Sequence, residues 1–336
     1  MIKSVSWGTG ATAPERRSPA FNGSGGTLFG MQIVNLLLTA LTVGIYYFWG
    51  KTRIRHYAHG QMEFDGDVFG YHGTGRELLF GWLKAIFLLA VLFAGAAVLG
   101  SLTIGQGPGM PATAPAEMLI NLLTFAILAV LMPIVTVGSR RYRLSRTSWR
   151  GIRFSFRGRV VEFMKIFIIG SLLTLVTLGL YYPFFYNNMW SYLINNTSFG
   201  TKRFTFDGKG ADLFRRYVLA LILSVITLGI YWPWFAAERN RYYWGHTTFG
   251  AARFRSTMSG RPLFGLWLSD LLLLVFTLGL ALPWVAVRNI RFLCANLSLE
   301  GPLDMTAIQD EAAAASPVGE EMADFLGLDI IGLVPG

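Results

Sequence analysis

Hydrophobic and polar positions along this chain follow a pattern that resets about every fifty residues. Apolar stretches cover Leu28–Trp49, Leu78–Leu99, Met118–Val137, Phe163–Phe185, Tyr217–Phe235 and Leu263–Val287. Each is about 20 residues, enough to span or nearly span a hydrocarbon core of about 30 Å. Between them lie short segments of period two, such as Ser148–Phe156 and Thr197–Phe206. Their central glycine predicts small β-hairpins. Pro133, Pro183, Pro233 and Pro283 stand fifty residues apart, and Phe48 takes the same place in an opening copy. A Thr-x-Gly begins six residues before Phe48, Pro183, Pro233 and Pro283, and an aromatic follows nine after each mark: Tyr57, Tyr142, Tyr192, Tyr242 and Phe292. Each copy opens on an aromatic-x-Gly: Phe21–Gly23, Tyr71–Gly73, Phe156–Gly158, Phe206–Gly208, and Met258–Gly260 as a degenerate version.

This pattern predicts a polytopic α-helical membrane protein of five tandem helical-hairpin repeats. About ten helical segments are linked by short cytoplasmic β-hairpins. The expected organisation is a disordered arm at 1–20, then repeats at 21–70, 71–155, 156–205, 206–257 and 258–304, then an acidic tail at 305–336. The second repeat is longer, with its extra length at the Thr-x-Gly position. There an uncharged loop at 101–116 reads as extracytoplasmic, while Gly138–Arg159, with eight Arg and no acid, reads as cytoplasmic. The longer repeat makes Thr-x-Gly the apex of a helical hairpin, with the proline tolerated in the first turn of the returning helix. The rival is six single spans with an aromatic belt. The short ascending helices favour that rival, at about 16 residues or roughly 24 Å. Against it, single spans would put near-identical β segments on opposite sides of the membrane.

Composition agrees with a membrane setting. Of 336 residues 53% are hydrophobic and only 14% charged, where a soluble domain has about 25%. The net charge of +10 is uneven, because residues 305–336 hold six acids and no Lys or Arg, leaving +16 on the rest. That balance points to positive-inside topology and anionic lipid headgroups as partners, and no nucleic acid. The acidic tail interleaves apolar residues with its acids, so it is a candidate docking segment for a protein partner. The single cysteine, Cys294, excludes an intramolecular disulfide.

Chemistry-bearing motifs are few. Gly23-x-Gly25, Gly73-x-Gly75 and Gly208-x-Gly210 precede apolar helices and lack a Gly-Lys-Ser/Thr, so they read as tight turns and not as phosphate loops. His56, His59, His72 and His246 have no third ligand at a metal-binding spacing. No hydrolase or protease constellation is present, so the chain is read as no enzyme, with no cofactor and no metal. Intramembrane polar residues are the sharper candidates: Asp270 within Leu266–Leu274, Asn35 at the same register in the first repeat, and Lys84. Arg53, Arg55, Arg140, Arg141, Arg239, Arg241, Arg288 and Arg291 either ring a cytoplasmic vestibule or anchor to lipid phosphate.

The string from Leu41 to Tyr57, followed by Phe64-Asp-Gly-Asp and by Tyr71 to Leu79, resembles the YjgN-like family of bacterial inner-membrane proteins, a domain of unknown function. The resemblance covers about residues 21–303. It implies a multi-pass protein of the bacterial inner membrane, and a link to membrane metallopeptidases as neighbours. It supplies no reaction or substrate.

Two functions fit. The leading one is a transporter or channel for a small solute, anionic if the Arg sets line its path and Asp270 gates it. The alternative is a non-catalytic membrane scaffold or regulator that docks a partner, a membrane peptidase being one candidate, through the β layer and the acidic tail.

Overall fold

A computed structural model describes residues 16–104, 114–303, 305 and 308. Among the described residues it holds ten helices and eleven strands. The helices pair as α1 (Gly25–Leu41) with α2 (Tyr47–Gly60), α3 (Gly75–Ile104) with α4 (Ala114–Ser145), α5 (Val160–Val176) with α6 (Tyr182–Asn195), α7 (Gly210–Ile226) with α8 (Trp232–Gly245), and α9 (Gly260–Phe276) with α10 (Leu282–Ala295). The strands are β1 (Arg16–Arg17), β2 (Ala20–Phe21), β3 (Met62–Phe64), β4 (Asp67–Tyr71), β5 (Thr147–Trp149), β6 (Ile152–Phe156), β7 (Thr197–Phe199), β8 (Lys202–Phe206), β9 (Thr247–Phe249), β10 (Ala252–Ser256) and β11 (Leu297–Glu300).

The expected fold class needs correcting. The β segments are not separate hairpins linking membrane helices. They form one antiparallel sheet in the order β1-β11-β10-β9-β8-β7-β6-β5-β4-β3-β2. Nor are all the helical segments membrane spans. Among the described residues only two helices are long and apolar enough to cross, over Gly75–Gly95 and Thr124–Ser145. The other first helices have 17 residues and the other second helices 14, roughly 25 and 21 Å long. Most of the apolar stretches are two short helices about a turn, as the Thr-x-Gly mark predicts, but those helices are too short to count as spans.

The strand order returns to its start. Arg16 pairs with Glu300 on β11, while Ala20 pairs with Glu63 on β3. One short segment thus meets both ends of the sheet, and α1 packs against α10. The chain closes into a ring. Residues 16–20 were expected in a disordered arm and instead complete this closure; residues 1–15 of the arm lie outside the described residues. Most of the loop at 101–116 does too, though 101–104 and 114–116 are helical.

Turn chemistry explains the sheet. Asp65-Gly66 and Arg150-Gly151 both have positive φ, as a two-residue type I′ hairpin turn requires. Gly200 and Gly250 have positive φ as first turn residues, the type II′ alternative. Strand alternation then puts Phe69, Trp149, Phe154, Phe199, Phe204, Phe249 and Phe254 on one face, in cross-strand pairs Phe69–Trp149, Phe154–Phe199 and Phe204–Phe249. These rings contact one another around the sheet at centroid distances of 4.7–6.4 Å. Leu303, Met305 and Ile308 pack onto the same cluster.

Candidate functional site

Four turns close the short helix pairs, and all four use one device. The Thr42 hydroxyl donates to the Leu38 carbonyl at 2.7 Å and accepts from the Tyr46 N–H at 2.9 Å. Thr177, Thr227 and Thr277 repeat both bonds. The carbonyls freed at a helix end are thereby satisfied. The next two residues turn left-handed: Val43, Leu178, Leu228 and Leu278 at φ near 50°, then Gly44, Gly179, Gly229 and Gly279. Glycine suits that region, whereas a branched apolar residue there costs about 1–2 kcal/mol. These apolar residues are also 92–93% exposed. A strained, almost fully exposed aliphatic residue, Val43 at the first tip and leucine at the other three, makes physical sense against lipid.

The aromatic nine residues past the proline mark caps its own unit. The Tyr57 hydroxyl accepts from the Ser24 N–H at 2.8 Å. The Tyr192 hydroxyl donates to the Arg159 carbonyl at 2.7 Å. The Tyr242 hydroxyl accepts from the Lys209 N–H at 2.6 Å and lies 2.9 Å from an Asp212 carboxylate oxygen. Burial, then the bond to Asp212, pushes the Tyr242 hydroxyl up to about 12. The Tyr142 hydroxyl donates to Glu77 at 2.9 Å. The Tyr57 and Tyr242 hydroxyls take up a backbone N–H at the start of their unit's first helix, whereas Tyr142 and Tyr192 tie down the same place by donating; Phe292 has no hydroxyl to do either.

The residue just before that aromatic ties its unit to the next. Arg141 donates to the Gly158 carbonyl at 2.7 Å and Arg241 to the Met258 carbonyl at 3.2 Å, each seventeen residues on. Arg291 donates to the carbonyls of Gly23 at 2.8 Å and Phe21 at 3.3 Å, which is the same link made across the ring closure. His56 lies 3.3 Å from the Gly73 carbonyl in the equivalent place. One residue earlier, side chains match in pairs: Arg55 on Tyr71, Arg140 over Phe156, Trp190 with Phe206, Asn240 with Ser256, and Ile290 with Phe21. This register moves the start of the fifth unit. Ser256-x-Met258 occupies the aromatic-x-Gly place, not Met258-x-Gly260. In the other units a Cβ on Gly23, Gly158 or Gly208 would sit about 2.5 Å from the preceding aromatic ring. Ser256 brings no ring to that place, and Met258, standing where the others have glycine, is buried against Ala237 and Leu263.

Asp270 is buried between the two helices of the fifth pair. Its carboxylate lies 3.1 Å from Arg288 and accepts from the Asn289 amide at 2.7 Å. Asn35, at the same register, is buried too and donates to the Gly50 carbonyl at 3.1 Å. Its counterparts Gly170 and Ala220 face Phe185 and Phe235. Small and polar residues alternate at this place because they fit whatever the facing helix presents. Arg239 lies over the Tyr186 ring at 5.0 Å and reaches the Tyr182 hydroxyl at 3.3 Å. Burial holds the Tyr186 hydroxyl above its usual range and His59 below its own. Arg53 and Lys84 are exposed. Seven of the eight arginines thus contact residues of their own or a neighbouring unit. Among the described residues no three His, Cys, Asp or Glu side chains cluster around a metal-sized site.

The chain matches the profile of a family described as bacterial protein of unknown function (DUF898) over residues 17–222, 203–253 and 246–325. The chain belongs to this family. Curated relatives carry the name inner membrane protein YjgN. The protein from Escherichia coli O157:H7 is 30% identical over 136 residues, and that from Salmonella typhimurium strain LT2 is 29% identical over 137. Each match covers about two fifths of this chain, 40% and 41%, and spans 30% of the relative's length. No solved structure matches. The relatives' name supports an inner-membrane location for this DUF898 member.

Sequence reasoning missed two features. The aromatic face of the sheet was carried by alternate strand positions but not visible as a closed cluster. A polar cleft of about 410 Å³ lined by Asp212, Arg216, Glu238, Arg241, Tyr242 and His246 also went unseen; Arg216 and Glu238 pair across it at 3.0 Å. Cys294 is buried among Phe21, Leu28 and Ile290 at the ring closure, and burial pushes its thiol up to about 11. The thiolate is the reactive form. A maleimide at neutral pH is therefore expected to label Cys294 at least about tenfold faster in denaturant than in the folded protein; equal rates would place it in an open interface.

Proposed function

We propose that this protein is a non-catalytic scaffold of the inner membrane, a closed ring that holds a partner-binding tail at the centre of its sheet. The observation that carries this reading is the packing of Leu303, Met305 and Ile308 onto the aromatic centre formed by Trp149, Phe199 and Phe249. Sequence beyond that anchor bears Asp310, Glu311, Glu320, Glu321, Asp324 and Asp329 among apolar residues. A basic, partly apolar protein surface fits such a tail. Anionic lipid headgroups are the second partner class, through exposed basic residues such as Arg53 and Lys84.

Two further observations support scaffold over transport. Arg141, Arg241 and Arg291 serve as links between units, which leaves fewer cations to draw an anion. One face of the sheet is packed with aromatic rings, a surface ill-suited to a hydrated anion. The transport reading keeps one observation in its favour. Arg288, paired with buried Asp270, also lines an apolar groove of about 770 Å³ with Phe29, Leu273 and Trp284.

One comparison separates the two. Wild type, Asp270→Asn and a chain lacking 309–336 are tested in liposomes for chloride and phosphate flux, and in cells for cross-links from a photoreactive residue in the tail. The scaffold reading expects no flux above empty vesicles, and cross-links that survive Asp270→Asn. Flux that Asp270→Asn abolishes would overturn it in favour of transport.

A further inference from the structure

We infer that the four short helix pairs are seated in a single leaflet of the bilayer, while α3 and α4 alone among the described helices cross it. The lipid acyl chains of that leaflet are the partner of the tips. This inference rests on membrane seating and holds for a scaffold or a transporter alike.

The argument starts from where charge stops. Counted from the helix start, the last charged residue is Lys165 in α5, Arg216 in α7, Lys84 in α3 and Asp270 in α9, while α1 holds none and has buried Asn35 ten residues in. These fall five to ten residues in, a band of roughly 8 Å along the axis. On the returning helices Glu238 and Arg288 meet the same band, because they pair with Arg216 and Asp270. The band therefore marks one polar level shared by four of the five helix pairs, at which long side chains reach headgroups and water.

Above that level the two kinds of pair differ. From Asp270 to the end of α9 at Phe276, and from Leu282 to Arg288, there are six residues each way, roughly 9 Å. From Arg216 to Ile226 there are ten, roughly 15 Å. From Lys165 to Val176 there are eleven, and with the turn added the short tips stand roughly 12–20 Å above the polar level, so they end inside a hydrocarbon core of about 30 Å and do not cross it. From Lys84 to Ile104 there are twenty residues, roughly 30 Å, a full core.

The surface between that level and the tips suits acyl chains. Residues 217–237 and 271–287 hold no charge. Leu228 and Leu278 are 93% and 92% exposed, with Ile226 at 71% and Phe276 at 82%. The backbone at the tips needs no water, since Thr227 and Thr277 bond its free carbonyls and N–H groups internally. Asp270, read from the sequence as an intramembrane group, belongs at headgroup depth beside Arg288. The ring would then leave the far leaflet unsupported under four of its five pairs, and the bilayer there must thin or fill in.

Depth measurements test this directly. In a Cys294→Ser background, Leu178→Cys, Leu228→Cys and Leu278→Cys each carry a nitroxide, in liposomes of phosphatidylethanolamine and phosphatidylglycerol. Accessibility to oxygen against a water-soluble nickel reagent is expected to place all three near the bilayer midplane. Thr103→Cys, near the end of α3, is the control and is expected within a few ångströms of the far phosphates. Tip labels at the depth of the Thr103 control would show that the short pairs cross. Tip labels open to the nickel reagent in both detergent and liposomes would show that they do not enter lipid. Either result overturns the inference.

Discussion

Replacing Gly25 by valine is expected to cost about 3 kcal/mol, near the upper end of the overpacking range, while the same change at Gly26 costs less than about 1 kcal/mol. The two glycines are neighbours at the start of α1, so their helix propensities are equal. Their surroundings are not. A Cβ on Gly25 would stand 2.5 Å from Trp284 Cδ1 and 2.9 Å from the Trp284 Cα, whereas one on Gly26 meets nothing within 4 Å. Backbone cannot step aside as a side-chain end can. Trp284 lies in the first turn of α10, at the other end of the chain, so the cost arises only if the ring is closed. Thermal unfolding of the two variants in matched detergent reads the difference. Equal midpoints would mean that α1 and α10 do not meet. Gly75 against Trp49 and Gly210 against Phe184 make the same approach between other units, so the effect at Gly25 isolates closure from ordinary unit packing.

Replacing Trp149 by alanine is expected to cost about 3–5 kcal/mol, the range for removing a large buried aromatic. Its ring is 4% exposed and contacts Phe64, Phe69 and Phe199. Its indole N–H donates to the Phe64 carbonyl at 3.1 Å. Arg150, itself paired with Asp65 and Asp67, lies over the ring at 4.6 Å. Trp149→Phe keeps most of the packing and loses the hydrogen bond, so about 1–2 kcal/mol is expected. The alanine change also removes part of the floor under Ile308. Protease cleavage between residues 303 and 309 is therefore expected to quicken in Trp149→Ala before global unfolding. Unchanged cleavage would mean that the tail is not anchored there.

Much of this architecture was legible because it repeats. The proline mark predicted the returning helix, and Pro183, Pro233 and Pro283 do fall in its first turn. The Thr-x-Gly signal located the turns, since only a left-handed glycine and a carbonyl-capping threonine satisfy that geometry. The number of crossings was not legible in the same way. The turn in the middle of each stretch was marked, but not where its two helices begin and end, and helices of 17 and 14 residues fall short of the about 20 that a span needs. The sheet was misjudged for a related reason. Period two gives each hairpin, but the pairing of β4 with β5 or of β10 with β11 joins strands separated by a helix pair, and no local pattern encodes that. Asp270 was found by its rarity, and its partners Arg288 and Asn289 lie eighteen and nineteen residues on, beyond any local spacing rule.

The closed ring is most directly tested by a cross-link across its join. Arg16 and Glu300 face each other as antiparallel partners on β1 and β11, a separation within disulfide reach. In a Cys294→Ser background, Arg16→Cys with Glu300→Cys is oxidised in the purified protein and run without reductant. The closed ring predicts an intramolecular disulfide in most of the protein, seen as a faster-running monomer that reductant reverses. A monomer of unchanged mobility, or disulfide-linked dimers alone, would contradict it.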